Sequence, residues 1–225
     1  MSDDSFIREV DEELRSDQFK GFWDKYKWVV ITGAVAIVLV TAGYRGWISY
    51  SEQVAGQSGD RFLEAIELSN EGKHDEAIAM LEKLGEDGVG EYPALANIRL
   101  AAEFANQGNS DKAIEAFDKI ANDSSYDETL RNVARLRAGL IEVDHGSYDD
   151  VVARLQSMAN TGQPFRHSAR EGLGLSAWKH NLLEDAHRWF TAVSEDAQAP
   201  GGIRGRARIM LELLAGKGVK GAEAS

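Results

Sequence analysis

Histidines are the side chains of this 225-residue sequence best suited to bind a metal ion, and the sequence contains five of them and no cysteine. They are His74, His145, His167, His180 and His187. Zinc sites built from histidine use fixed spacings such as HExxH, or combine histidine with cysteine thiolates. Neither pattern is present, and we expect His180 and His187 on two different helices. The sequence therefore predicts no metal site.

A nucleophilic serine and a phosphate-binding loop are the other chemistries to consider. Ser176, within "EGLGLSAW", has no acid or base beside it that would activate its hydroxyl. "GEDGVG" at residues 85–90 lacks the preceding strand and the spacing of a dinucleotide loop. We expect a loop there, and close helix packing at the glycines of "EGLGLSAW". No catalytic residue, no cofactor and no enzymatic activity are predicted; a metal-dependent enzyme using His180 or His187 is the alternative.

The charge of the chain limits its partners. With 37 acidic and 25 basic side chains the formal net charge is −12, so nucleic-acid binding would require a local basic patch. Two groups of arginines occur on predicted helices: Arg131, Arg135 and Arg137, and Arg204, Arg206 and Arg208. We interpret both groups as solvated helix faces, with binding of an acidic ligand as the alternative. No nucleic-acid partner is predicted.

The elements that would position these residues are helices. Only three prolines occur in 225 residues, and Ala, Leu, Glu and Lys are abundant, a composition that favours helix. Apolar residues make up 43% of the chain, which is enough for a core. Strand-like alternation is nowhere sustained, so the predicted fold class is all-α.

Residues 28–44, "WVVITGAVAIVLVTAGY", contain no charged side chain. A helix of this length rises about 26 Å, and Trp47 and Tyr50 extend it toward the roughly 30 Å of a hydrocarbon core. Aromatic residues at both ends, such as Trp28 and Tyr50, match the belts at two membrane interfaces. The sequence therefore predicts a transmembrane helix over residues 28–50, in contact with the lipid bilayer.

Two alternatives remain for this run. One is a cleaved signal sequence, since Val40-Thr41-Ala42 could serve a signal peptidase and would leave Gly43 as the mature N-terminus. However, 27 mostly hydrophilic residues, eight of them acidic, precede the run, whereas a secretory signal begins with a few basic residues. The other alternative is a buried core helix, which should show a polar stripe.

Basic residues on either side of the helix predict its orientation. Residues 13–27 contain four lysines and arginines, whereas residues 45–60 contain one, Arg45. Because basic residues are retained on the cytoplasmic side, we expect a cytoplasmic N-terminus and an exported C-terminal domain. The predicted location is the bacterial inner membrane, single-pass, with the C-terminal domain in the periplasm.

Residues 1–27 are predicted to be a cytoplasmic amphipathic and interfacial segment. Phe6, Ile7, Val10 and Leu14 fall on one face of a helix. Aromatic residues and lysines follow in residues 19–27, a mixture suited to lipid headgroups. Either this segment is a tail lying near the membrane, or it docks a cytoplasmic partner.

A repeated segment follows the membrane helix. "GKHDEAIAMLEKL", "GNSDKAIEAFDKI", "GSYDDVVARLQSM" and "NLLEDAHRWFTAV" begin at residues 72, 108, 146 and 181 and align without gaps. Each places a small or branched residue four positions before a large apolar one, on one helical stripe. We expect these residues to pack the repeats together: Ala77 and Leu81, Ala113 and Phe117, Val151 and Leu155, Ala186 and Phe190.

A first helix is predicted before each of these segments, so that each repeat is a pair of antiparallel helices. A residue in the left-handed conformation is expected to end each first helix, and the candidates are Gly72, Gly108, Gly146 and Asn181. A last helix, "GGIRGRARIMLELLAG", is predicted to cap the stack.

The repeats are 36, 38 and 35 residues apart, near the roughly 34 of a tetratricopeptide repeat, and residues 58–195 resemble the tetratricopeptide repeat (TPR) family. The resemblance implies a TPR-like α-solenoid of about four helix pairs within residues 51–215. The residues that follow, "GKGVKGAEAS" at 216–225, are predicted to be a disordered tail. In the family, first-helix residues line a groove for an amphipathic helix or an extended apolar segment; packing within the stack is the alternative. The corresponding residues here are Phe62, Ile66, Ile98, Ala102, Leu140, Leu175 and Trp178.

The complete layout resembles the YfgM-type family of ancillary TPR subunits of the bacterial Sec translocon. It consists of an acidic N-terminal segment, one spanning helix and four atypical repeats. The resemblance implies a periplasmic scaffold for protein–protein interaction in protein translocation, with the Sec translocon and a membrane-anchored periplasmic chaperone as partners. The alternative function is a periplasmic TPR adaptor in cell-envelope assembly or division, without a link to export.

Overall fold

The computed structural model describes the backbone of residues 3–219 and the side chains of residues 25–219. Its α-helices are α1 (Asp3–Asn70), α2 (His74–Asp87), α3 (Tyr92–Asn106), α4 (Ser110–Asn122), α5 (Glu128–His145), α6 (Tyr148–Leu155), α7 (Arg166–Lys179), α8 (Leu183–Ser194) and α9 (Gly201–Gly216). No strand occurs within these described residues, and the all-α prediction is confirmed. Contacts divide the chain into two compact parts, one up to Gly56 and one from Gln57.

The first part contains the uncharged run within α1. An 18-residue window of Lys25–Asn70 has a mean hydropathy of 1.7 and no buried residue, and Trp28 and Val40 are each 72% exposed. Among the described residues this is the one helix long and apolar enough to cross a membrane. Protein would cover a core helix, so the lack of burial within the described residues argues against the core-helix alternative. A signal sequence would share these features, and its cleavage stays an alternative.

The second part is a stack of helix pairs. From α2 to α9, each helix packs against the next one in the chain. Four clusters of buried apolar residues run through the stack, and each cluster joins one helix pair to the first helix that follows it. Each pair thus buries its apolar faces only against its neighbours, which produces a stack instead of one central core.

The large residues of the repeated segment lie inside these clusters, and all four of the small or branched residues are buried. The small or branched residues, Ala77, Ala113, Val151 and Ala186, are 0% exposed. The large residues, Leu81, Phe117, Leu155 and Phe190, are at most 3% exposed. A small side chain lets the facing helix approach, and the large side chain one turn later fills the remaining space.

Three of the four first helices end in the same turn. The backbone is left-handed at Gly72 (φ 81°), Gly108 (φ 75°) and Asn181 (φ 61°). In each case the backbone N–H of the residue after the left-handed one donates, at 2.9 Å, to the carbonyl oxygen five residues before that donor. This is the hydrogen bond of a Schellman motif.

The third pair departs from this pattern. Gly146 has φ −95° and ψ 179°, so the prediction of a left-handed residue there is wrong. The chain instead enters α6 directly from an extended residue, because Ser147 and Asp150 form a capping box that satisfies the first amides of that helix. A short 3₁₀ turn, Ser157–Ala159, follows α6.

The last helix, α9, packs against α8 and α7 at the end of the stack. Ala207 and Leu214 are 0% exposed, in the cluster that contains Phe190. The helix ends in a Schellman turn at Gly218 (φ 86°), and Val219 packs against the same cluster. Residues 220–225, most of the segment predicted to be disordered, lie outside the described residues, as do the side chains of the predicted amphipathic face before residue 25.

Candidate interaction surface

The structure distributes the predicted groove residues over the whole stack. They are Phe62, Ile66, Ile98, Ala102, Leu140, Leu175 and Trp178. Six of the seven are half-buried, and Leu175 is 37% exposed. Phe62, Ile98, Leu140 and Trp178 each pack against a different one of the four core clusters. The structure therefore does not bring the seven together in one pocket, and their contact with a partner stays a prediction.

A pocket of about 480 Å³ lies between α2, α3, α4 and the loop that joins α4 to α5. Its apolar residues are Leu100, Phe104, Ala116, Ile120 and Tyr126. Its polar and charged residues are Glu82, Asn97, Lys112, Glu115, Lys119 and Asp123. None of the seven predicted groove residues lines it. Apolar walls with a charged rim suit a pocket that receives an apolar side chain from a binding partner.

Two contacts orient the aromatic walls of this pocket. Asn97 Nδ2 donates to Tyr126 Oη at 2.9 Å, which ties the α4–α5 loop to α3. Lys112 Nζ lies 5.5 Å from the centroid of the Phe104 ring, within the range of a cation–π interaction. The first contact fixes the Tyr126 hydroxyl, and the second places a cation over the Phe104 ring.

Sequence reasoning missed this pocket although its residues lie on a predicted helix. Leu100 and Phe104 lie one turn apart on α3, and Ile98 and Ala102 form a second apolar stripe on the same helix. Periodicity does not show which stripe faces a neighbouring helix. The available signal was size, because a leucine and a phenylalanine one turn apart offer more contact surface than the Ile98–Ala102 stripe.

Glu103 of α3 is a fully buried carboxylate between the first two helix pairs. Ser69 Oγ donates to its Oε1 at 2.6 Å, and Arg99 Nη2 lies 2.7 Å from the same oxygen. His74 Nδ1 lies 3.1 Å from Oε2. Burial opposes ionisation and is the largest single influence, but the bonds from Ser69 and His74 and the charge of Arg99 together hold the pKa of Glu103 below its ordinary value. The ionised group thus joins α1, α2 and α3.

Asp196 organises a second polar cluster, in the loop between α8 and α9. His167 Nε2 lies 2.9 Å from its Oδ2, and Arg166 Nε and Arg170 Nη1 lie 3.2 and 3.3 Å away. The backbone N–H of Gln198 donates to Oδ1 at 2.9 Å. The Gln198 N–H first, and then the His167 bond and Arg166, hold the pKa of Asp196 far below its ordinary range. This cluster fixes the loop against the start of α7.

The other residues considered for chemistry make structural contacts. His180 Nδ1 lies 2.8 Å from the backbone oxygen of Ser176, and the side chain of Ser176 is 0% exposed. His187 Nδ1 lies 3.4 Å from Thr191 Oγ1. Within residues 25–219, no group of three or more His, Asp or Glu side chains is placed to hold a metal ion.

Comparison with known protein families matches the repeat architecture. A family model described as a tetratricopeptide repeat-like domain covers residues 20–212, which include the apolar run and most of the stack. No curated protein and no solved structure matches the chain.

Proposed function

The chain belongs to the tetratricopeptide repeat-like family, and from that premise we propose that it is a membrane-tethered scaffold that binds other proteins and catalyses no reaction. Domains of this family are typically interaction modules without enzymatic activity. The observation that carries the proposal is the presence, in one chain, of an exposed apolar helix and a stack of helix pairs. A tether confines a bound partner to the membrane and raises its effective concentration there.

The scaffold acts at the Sec export machinery of the bacterial inner membrane, as an ancillary subunit of the YfgM type that recruits a membrane-anchored periplasmic chaperone. Support comes from the sequence layout and from the basic residues, four in residues 13–27 and one in residues 45–60, which favour repeats on the periplasmic side. Residues 28–50 form the contact with the bilayer.

Partner binding is assigned to the pocket between α2, α3 and α4. Leu100 and Phe104 line this pocket, and of the two only Leu100 also packs against a core cluster, as Phe62 and Ile98 do. The partner group is an apolar side chain, from an amphipathic helix or an emerging polypeptide, that enters between the two aromatic walls.

In-cell photo-crosslinking of the full-length chain tests this proposal. A photoreactive amino acid is introduced at Phe104, and in separate strains at Ile98 and Trp178, the predicted groove positions. Ala153, which is exposed on α6, serves as the control position. We expect Phe104 to yield cross-links to a translocon subunit or a periplasmic chaperone, and Ala153 to yield neither.

The possible outcomes separate the parts of the proposal. Cross-links from Ile98 and Trp178 without one from Phe104 would show that the groove, and not the pocket, binds the partner. Recovery of no translocon component from any position would contradict the export function. A fluorescent fusion that gathers at the septum would favour the division adaptor, whereas an export scaffold spreads around the membrane.

A further inference from the structure

The last helix presents apolar side chains on the face that points away from the stack. Ile209 is 58% exposed and Leu213 is 50% exposed, whereas Ala207 and Leu214, on the opposite side of α9, are 0% exposed. The terminal helix of a repeat stack normally carries a polar outer face, because nothing packs on it. Ile209 and Leu213, one turn apart, form a small exposed apolar patch on this face that a second helix could cover.

Three glycines share this face, which we call the outer face of α9 (Gly202, Gly205, Ile209, Leu213 and Gly216). A Cβ atom at Gly205 or Gly216 would meet nothing within 4 Å, and at Gly202 the nearest atom is 3.7 Å away. Packing within the chain thus does not require these glycines, and Gly205, in the interior of α9, costs about 1 kcal/mol relative to alanine. They do allow the backbone of a second helix to come close.

We propose that the outer face of α9 binds the outer face of a second copy of this chain, with the two helices antiparallel about a two-fold axis at Ile209. In this arrangement Ile209 meets Ile209 of the second copy. Gly202 lies opposite Gly216, so that the backbones approach at both ends of the contact. The surface is isologous, as in most homodimers, because the same residues serve both copies.

Charges beside the outer face are self-complementary in the antiparallel arrangement. Neither Arg208 nor Glu212 has a hydrogen-bond or ion-pair partner within residues 25–219. Both lie on the same side of the Ile209 stripe. Antiparallel pairing brings Arg208 of one copy within about 3 Å, along the helix axis, of Glu212 of the other, twice in each dimer. Pairing with a second copy thus neutralises both charges.

Arg206 borders the opposite side of the face and is already paired within its own chain. Its Nε and Nη2 donate to the two carboxylate oxygens of Glu171 on α7, at 2.6 and 2.8 Å. This bidentate bond holds the aliphatic part of Arg206 at the level where Leu213 of the second copy would pack. The dimer does not depend on the proposed function, although tethering in one membrane would favour it.

Cysteine cross-linking of the full-length protein in membranes tests the two-fold axis, since the chain contains no cysteine of its own. With a short bis-maleimide, Ile209→Cys should form a dimer at least about tenfold faster than Ala153→Cys, an exposed control on α6. Gly202→Cys and Gly216→Cys should each remain monomeric alone and cross-link when the two variants are co-expressed. Circular dichroism of each purified variant checks that the helices are intact.

Charge reversal tests the same geometry independently. In the Ile209→Cys background, Arg208→Glu or Glu212→Arg should slow dimer formation about two- to fivefold, and the two changes together should restore it. The proposal is overturned if Ile209→Cys cross-links no faster than Ala153→Cys, or only to a different protein. Efficient cross-linking of Gly202→Cys to itself would also overturn it, because that result requires parallel helices.

Discussion

Gly174 of α7 lies directly against the ring of Phe190 of α8: a Cβ atom at Gly174 would be 2.9 Å from both Cε1 and Cζ of that ring. Phe190 is 1% exposed and Gly174 is buried, so neither side of the contact has space into which it can move. This close approach explains why a residue of low helix propensity stands in the middle of α7.

Replacing Gly174 by alanine tests this contact. Gly174→Ala is expected to lower the free energy of unfolding by about 1–3 kcal/mol, because overpacking against Phe190 outweighs the gain in helix propensity. The control is Gly201→Ala, at the start of α9 and outside its outer face, where a Cβ meets nothing within 4 Å and the free energy of unfolding should change by less than about 0.5 kcal/mol. Chemical denaturation followed by circular dichroism measures both; a stabilising Gly174→Ala would refute the argument.

Substitutions at two of the left-handed residues that end first helices should have opposite effects on the stability of the fold. Gly108→Ala should destabilise the fold by about 1 kcal/mol, because a Cβ at φ 75° collides with the backbone. Asn181 already bears a side chain at φ 61°, so Asn181→Gly should stabilise it by a few tenths of a kcal/mol. Thermal melting of the two variants distinguishes them. If both shift the transition in the same direction, turn conformation does not control these positions.

The Glu103 cluster predicts loss of stability in acid. Folding lowers the pKa of Glu103 below its ordinary value of 4.5, so ionised Glu103 stabilises the fold fully above about pH 4.5. This contribution is lost as the pH falls from there through the lower folded-state pKa. Glu103→Gln should therefore destabilise the protein at pH 7, by about 2 kcal/mol, because Arg99 and His74 lose their anion. The difference between the two proteins should narrow toward pH 3.

An exposed carboxylate provides the control for this experiment. Glu115 pairs with Lys119 at 2.9 Å on the surface of α4, with 68% of its side chain exposed. Glu115→Gln should change the free energy of unfolding by less than about 0.5 kcal/mol. Urea denaturation at pH 7, 5 and 3 measures all three proteins. An equal loss of stability in Glu103→Gln and Glu115→Gln would mean that the buried Glu103 carboxylate stabilises the fold no more than a surface carboxylate does.

The apolar helix predicts integration into a membrane. The full-length chain should stay with membranes in alkaline carbonate, and lysines introduced together at Val35 and Val38 should release it, since each costs about 3 kcal/mol at the bilayer centre. A lysine at Ser51, beyond the apolar segment, is the control. Fractionation followed by immunoblotting measures the distribution. Extraction of the intact chain by carbonate, or a mature protein that begins at Gly43, would contradict a membrane anchor.

Orientation is a separate prediction. Protease added to spheroplasts should digest the repeats and spare the residues before the apolar run, since residues 13–27 contain four basic side chains and residues 45–60 contain one. Mass spectrometry of the protected fragment identifies the end that survives. Protection of the C-terminal part would place the repeats in the cytoplasm.

Helix pairing could be predicted because the signals are local. Ala113 and Phe117 lie four residues apart, on one face of any helix that contains both, and the structure buries both. The turn at Gly146 could not be predicted by the same reasoning. A glycine at position 146 permits a left-handed turn, but the Ser147–Asp150 capping box offers a different start for α6. Which of these two turns forms depends on how α6 packs against its neighbours.

By itself, the sequence determined that an uncharged segment precedes a series of helix pairs, because hydropathy and periodicity are properties of consecutive residues. Only the tertiary structure decided that the Leu100–Phe104 stripe of α3 faces a pocket. Tertiary structure also decided that Glu103 is buried beside Ser69 and His74, which are 34 and 29 residues away in the chain. Such residues meet only when one helix pair stacks on the next, and the register of that stacking depends on side-chain fit across the whole interface.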